Sequence, residues 1–154
     1  MTKLFVLDTN VLLHDPAAVF KFGANHVFIS WVVLEELDKL KQGVQDTNRQ
    51  ARAAVRVLAG LLDSRRAAGL FAEGLPLADA SAGKASGMLF FQSASPSDQG
   101  KPLGFSSAND NLLLQTLRGF FAGDHLPTDV APGNAVLVTL DLNLRIKAAA
   151  LGIP

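Results

Sequence analysis

The sequence predicts an α/β sandwich built on buried parallel strands, and three observations carry that prediction. Short apolar, β-branched runs recur at residues 4–7 (LFVL), 27–29 (VFI) and 136–139 (VLVT). Segments with helical spacing of apolar residues lie between them, and the alternation of strand with helix is the signature of a sheet covered by helices. A chain of 154 residues, 49% of them hydrophobic, has the size and the apolar content for one domain around one substantial core.

In chain order, the first strand run ends at Asp8, and a helical pattern from Ala17 to Phe22 follows Asp15-Pro16. The second run ends at Ser30 and leads into a helix over Trp31–Lys41, then a long one from about Thr47 to Ala68. Residues 69–107 are dense in Gly, Ser and Pro around one apolar island, Met88–Phe91, which reads as an insertion carrying a short hairpin. Helices are expected again over Asn109–Phe121 and, after the third strand run, over Leu142–Leu151. Leu151-Gly152-Ile153-Pro154 stop where a further strand of the same sheet could start, so the chain is expected to be a fragment with an exposed sheet edge and a tendency to self-associate.

Composition narrows the chemistry. Fourteen Lys and Arg balance fourteen Asp and Glu, so there is no global basic field. The absence of cysteine excludes disulfides, thiolate metal sites and a cysteine nucleophile. No apolar run approaches the roughly eighteen residues of a membrane span, and Met1-Thr2-Lys3 leads into a strand rather than a signal sequence, so a soluble, cytoplasmic protein with no membrane partner is expected.

Ligands of open parallel sheets bind outside the carboxyl ends of the strands, and Asp8 and Asp141 both fall there. Each also has a structural reading: Asp8 as an Asx turn with Asn10, Asp141 as the cap of the helix that begins at Leu142. Glu36 is more telling. It shares a helical face with Val32, Val33 and Leu40, whereas Glu35 lies four residues before Lys39 and is expected to pair with it in solvent. A carboxylate on an apolar face is costly unless paired or metal-bound. Asp110 fits a capping box from Ser107 as well as a site. Like charges 4 Å apart repel by about 4 kcal/mol at an effective dielectric near 20, so a crevice of these acids needs a cation, and oxygen ligands without cysteine suit Mg²⁺ or Mn²⁺. His14, His26 and His125 have no zinc-ligand spacing and read as loop or partly buried surface residues.

LFVLDTNVLLHDP, VFISWVVLEELDKLK, SANDNLLL and VLVTLDLNLRIKAAALGI, spread from Leu4 to Ile153, resemble the PIN domains, and most of all the N-terminal PIN domain of PhoH-like proteins. The resemblance covers nearly all of the chain outside 69–107. It implies a three-layer α/β/α sandwich with a central parallel sheet, metal-dependent cleavage of single-stranded RNA, and homo-oligomers. It places Asp8, Glu36, Asp110 and Asp141 on the family's four acidic positions, as catalytic residues and ligands of Mg²⁺ or Mn²⁺, with Asn10, Thr139 and Asn143 in support. On this footing Asp8 bridges two ions, Asp110 and Asp141 flank them, and Glu36 is a ligand or orients water.

PhoH-like proteins carry a P-loop ATPase after the PIN domain, so residues 1–154 are expected to be the PIN part of a longer PIN–ATPase protein. Ala82-Gly83-Lys84-Ala85 lacks a P-loop's first Gly, at position 78, and its Ser/Thr at 85, so this chain is not expected to bind ATP. For nucleic acid, Lys39, Lys41, Arg49, Arg52 and Arg56 are the candidates, the three arginines sharing one helical face, with an ordinary solvated helix as the alternative. Two rival functions are a catalytically weak PIN fold that binds RNA or oligomerises for an attached ATPase or helicase, and a haloacid-dehalogenase-type phosphatase. The latter is disfavoured because Asn10 stands where it wants a second aspartate.

Overall fold

The computed structural model describes residues 1–63, 74–77, 87–92, 108–123 and 125–154. Its elements are β1 (Thr2–Leu7), α1 (Thr9–His14), β2 (His26–Ile29), α2 (Trp31–Leu40), α3 (Asp46–Asp63), β3 (Leu75–Pro76), β4 (Met88–Phe91), α4 (Ala108–Ala122), β5 (Val130–Val138) and α5 (Leu142–Ala150). The sheet order is β3-β4-β2-β1-β5, with β4, β2, β1 and β5 mutually parallel and only β3 antiparallel to its neighbour.

Successive side chains of a strand point to opposite faces, and the core divides accordingly. Leu7, Val27, Ile29, Leu89 and Phe91 pack with Leu12 of α1, Val33 and Leu37 of α2 and Ala51, Ala54 and Leu58 of α3. Leu4, Val6, Phe28 and Phe90 pack on the other face with Leu113, Leu114, Leu117 and Phe120 of α4 and Leu144 and Ala148 of α5. This is the expected α/β/α sandwich. At about 25 cal/mol per Å² of buried apolar surface, such leucines each contribute on the order of 1.5–3 kcal/mol.

Three local readings are corrected. The helix expected over 17–22 is a single 3-10 turn, Ala18–Phe20. In its place α1, which the sequence reading passed over, starts directly at Thr9 and ends before Asp15, whose extended backbone (φ −141°, ψ 98°) is what a following proline imposes. The last strand begins at Val130, earlier than 136, and shifts register against β1 between Thr2 and Leu4. The stretch 69–107 does supply a short antiparallel pair, β3–β4, but β4 is also the parallel neighbour of β2. Gly87 permits that contact, since a Cβ there would lie 1.6 Å from the Asn25 carbonyl oxygen. Residues 69–73, 78–86 and 93–107, including Ala82–Ala85 and the capping candidate Ser107, lie outside the described residues. After α5 the backbone turns back along β5, and the Leu137 amide donates to the Pro154 carbonyl (2.9 Å). Among the described residues no helix is long and apolar enough to cross a membrane.

Candidate active site

β1 and β5 run parallel and side by side, so their carboxyl ends deliver Asp8 and Thr139 to the same place. The Asp8 amide donates to the Val138 carbonyl (3.0 Å), which ties the end of β1 to that of β5. The Asp8 carboxylate accepts the Thr9 amide (2.8 Å), capping α1, and the Thr139 hydroxyl (2.7 Å). Thr139 Oγ1 in turn accepts from the Asp141 amide (3.0 Å) and from Asn10 Nδ2 (3.3 Å). Asn10 Oδ1 accepts the Leu140 amide (3.0 Å), so a single hydroxyl and a single carboxamide fix the turn that presents Asp141. Asp8 thus caps α1 through the Thr9 amide, in place of the Asx turn with Asn10 that its sequence position suggested, while its other oxygen meets the Thr139 hydroxyl at the end of the sheet.

Glu36 is half-buried on the inner side of α2 and reaches the same end of the sheet. Its carboxylate accepts the hydroxyl of Thr9, which is buried, and Asn109 Nδ2 at 2.8 Å. Glu35 is exposed, as its position on the helix predicts. Its expected ion pair with Lys39 does not form; it is Lys41, the C-cap of α2, that pairs, with Asp38 (2.6 Å). Asp110, in the first turn of α4, accepts a 2.9 Å ion pair from Lys147 of α5.

Asp8 carries the electrostatic mark of the site. Burial pushes its carboxyl above the ordinary carboxylate value. Hydrogen bonds from Thr139 and Thr9 oppose the rise, and the negative charges of Glu36 and Asp110 add to it. Asp8, Glu36 and Asp110 therefore share one electrostatic neighbourhood. Asp141 stands at its rim, exposed, with Oδ1 capping α5 through the amides of Asn143 (2.8 Å) and Leu144 (3.3 Å). Asn143 enters through that backbone amide. Among the described residues no group of three acids or histidines already forms a cage that could hold a metal ion. The donor set nonetheless fits a hard divalent cation: carboxylates, hydroxyls and carboxamides, no thiol, and like charges that a cation would relieve.

Thr9, Asn109 and Lys147 were missed from sequence. Lys147 had a usable signal, for it shares the inward face of α5 with Leu144, Ala148 and Leu151 just as Glu36 does with the apolar residues of α2. The five basic candidates divide. Arg52 donates to the carbonyls of Lys41 and Gly43 (both 2.8 Å) and braces the α2–α3 turn, and Lys41 is held by Asp38. Lys39, Arg49 and Arg56 are exposed, with Arg49 3.6 Å from Asp46. His26 departs from its expected loop or surface position: it is buried at the start of β2, its Nδ1 accepting the Met88 amide (2.9 Å) and its Nε2 facing Asp129 (2.9 Å). An apolar cavity of about 360 Å³ between α2 and α3, lined by Trp31, Leu34, Val55 and Leu62 among others, includes none of the four acids.

Residues 5–154 match the family model described as PIN domain. The chain is 34% identical to a Bacillus subtilis protein named Protein PhoH2, over 99% of this chain and 32% of that protein. Proteins of the same name from Thermobispora bispora (31% identical) and Mycolicibacterium smegmatis (30%) align over 99% and 98% of this chain, and 31% of each. The chain thus spans about a third of the length of the curated relatives it matches.

Proposed function

The chain belongs to the PIN domain family, whose members are generally nucleases and typically use divalent metal ions, and from that premise we propose that it is an Mg²⁺- or Mn²⁺-dependent endoribonuclease acting on single-stranded RNA. The observation that carries this reading is the convergence of Asp8, Glu36 and Asp110 at the carboxyl end of the sheet, with Asp8 pushed up by burial and by its two acidic neighbours. Asp8, Glu36, Asp110 and Asp141 would hold the ions. When bound, such ions lower the pKa of an attacking water and stabilise the leaving oxygen of a phosphodiester.

The chain's own residues do the positioning. Thr139 holds Asp8 and the Asp141 turn at fixed separation, Asn10 holds the same turn from the other side, and Thr9 with Asn109 fixes both oxygens of Glu36. Exposed Lys39, Arg49 and Arg56 would meet the RNA backbone as phosphate contacts. Lys41 and Arg52 serve the fold first. In the longer protein a PhoH-like ATPase domain would be the natural partner, and homo-oligomers are proposed on the family likeness. The test is cleavage of an end-labelled single-stranded RNA in Mn²⁺, in chelator, and by Asp8→Asn. Activity in Mn²⁺ alone that falls about a hundredfold or more in the variant is expected, the scale of losing a group that stabilises developing charge. Equal cleavage by the variant would reject the site.

A second reading is favoured by one observation: Asp8, Glu36 and Asp110 are each already engaged by a protein donor. On it the domain is catalytically weak and binds RNA or assembles for an attached ATPase or helicase. RNA retention without Mn²⁺-dependent cleavage would select it.

A further inference from the structure

Lys147 lies in the second half of α5, and its side chain reaches back to Asp110 of the site. Side chains of an α-helix lean toward its N-terminus, which in α5 is the end capped by Asp141, so the long stem of Lys147 runs back up the helix to Asp110. The ammonium lies 2.9 Å from Asp110 Oδ2, with the two side chains 22% and 25% exposed. A lysine on the inward face of α5, among Leu144, Ala148 and Leu151, forgoes part of its hydration there, and the carboxylate it meets is one of the two, with Glu36, that add negative charge beside Asp8.

We propose that Lys147 is a built-in counter-ion of the acid site, a positioning residue that holds Asp110 while no divalent ion is bound and competes with that ion for the same carboxylate. The proposal rests on the metal-site reading above. Two features of the pair support it. The acids repel one another, so one positive charge on Asp110 lowers the cost of keeping Asp8 and Glu36 close. Lysine is a compact point charge on a flexible stem, and an ammonium that is partly exposed can swing to solvent or to a nearby phosphate when a stronger cation arrives.

The experiment is calorimetric titration of Mn²⁺ into the 154-residue chain, with wild type, Lys147→Met, Lys147→Gln, Lys147→Arg and Asp8→Asn, alongside melting curves in chelator. Lys147→Met and Lys147→Gln are expected to bind Mn²⁺ about threefold to tenfold more tightly than wild type, the size of a partly shielded ion pair that no longer competes. In chelator both should melt about 2–4 °C lower. Lys147→Arg should restore the melting temperature and the weaker binding. A residue that merely shaped the site would lose affinity on replacement, so unchanged or weaker Mn²⁺ binding in folded Lys147→Met and Lys147→Gln overturns the proposal. Wild-type binding abolished by Asp8→Asn but indifferent to Lys147 keeps the metal site and rejects the counter-ion. If neither wild type nor the Lys147 variants bind Mn²⁺, both fall.

Discussion

At the carboxyl ends of the strands the half-buried Asp8 stands near two other acids; at the amino ends Asp129 is an exposed aspartate facing a buried histidine. Burial drives the first carboxyl up, with Glu36 and Asp110 adding to the rise. A hydrogen bond from His26 holds the second below its ordinary value. His26 Nδ1 accepts the Met88 amide, so Nε2 carries the ring proton and donates to Asp129, and every polar atom of that ring is satisfied. The amino end is arranged as stability selects, with donor matched to acceptor. The carboxyl end gathers like charges that repel one another, which is the arrangement the proposed metal site calls for.

Breaking the carboxyl end should change ion binding and chemistry more than stability. Thr139→Val removes the hydroxyl shared by Asp8, Asn10 and the Asp141 amide, and is expected to weaken Mn²⁺ binding by about 10–100-fold, measured by calorimetry. Glu36→Gln should lower RNA cleavage about tenfold or more while Glu35→Gln leaves it unchanged, since only Glu36 is turned to Thr9 and Asn109. Equal effects of the two would erase the distinction between the faces of α2.

Breaking the amino end should do the opposite. His26→Leu leaves the Met88 amide without its acceptor and is expected to cost about 1–3 kcal/mol in denaturant unfolding, with cleavage per folded molecule unaltered. Acid sharpens the contrast further. For Asp8, whose folded pKa is raised, the favourable contribution is complete below the unfolded pKa and is lost as pH rises through the folded one. For Asp129, whose folded pKa is lowered, it is present above the unfolded pKa and lost as pH falls through the folded one. Metal-free Asp8→Asn should therefore lose stability on acidification more steeply than wild type in the carboxylate range, and Asp129→Asn less steeply, the latter by little because Asp129 is well exposed.

Much of this was legible in residue order. The strand runs placed Asp8 and Asp141 at one sheet end, and helical facing turned Glu36 inward and Glu35 outward. What escaped was non-local or too short. The six residues of α1 offer little periodicity, and without α1 the meeting of Thr9 with Glu36, twenty-seven residues away, was invisible. β4 was legible as an apolar island and half of a hairpin inside the 69–107 insertion, but its pairing with β2 is set by contacts sixty-two residues apart that no local pattern shows. Arg52 shows the limit of a helical wheel: the wheel put it beside Arg49 and Arg56, but its guanidinium is spent on carbonyls of the preceding turn. Lys147 could have been found by the reasoning that found Glu36, applied to a cation.

The central claim is that the carboxyl-end acids are a liability without metal and an asset with it. Melting temperatures of wild type and Asp8→Asn, each in chelator and in saturating Mn²⁺, test it most directly. In chelator the variant should melt at or above wild type, because neutralising Asp8 relieves burial and repulsion. In Mn²⁺ the order should reverse, with wild type gaining roughly 2.7 kcal/mol at a hundredfold excess over its Kd and the variant gaining little. A variant that melts below wild type in chelator and gains as much from Mn²⁺ would contradict the account.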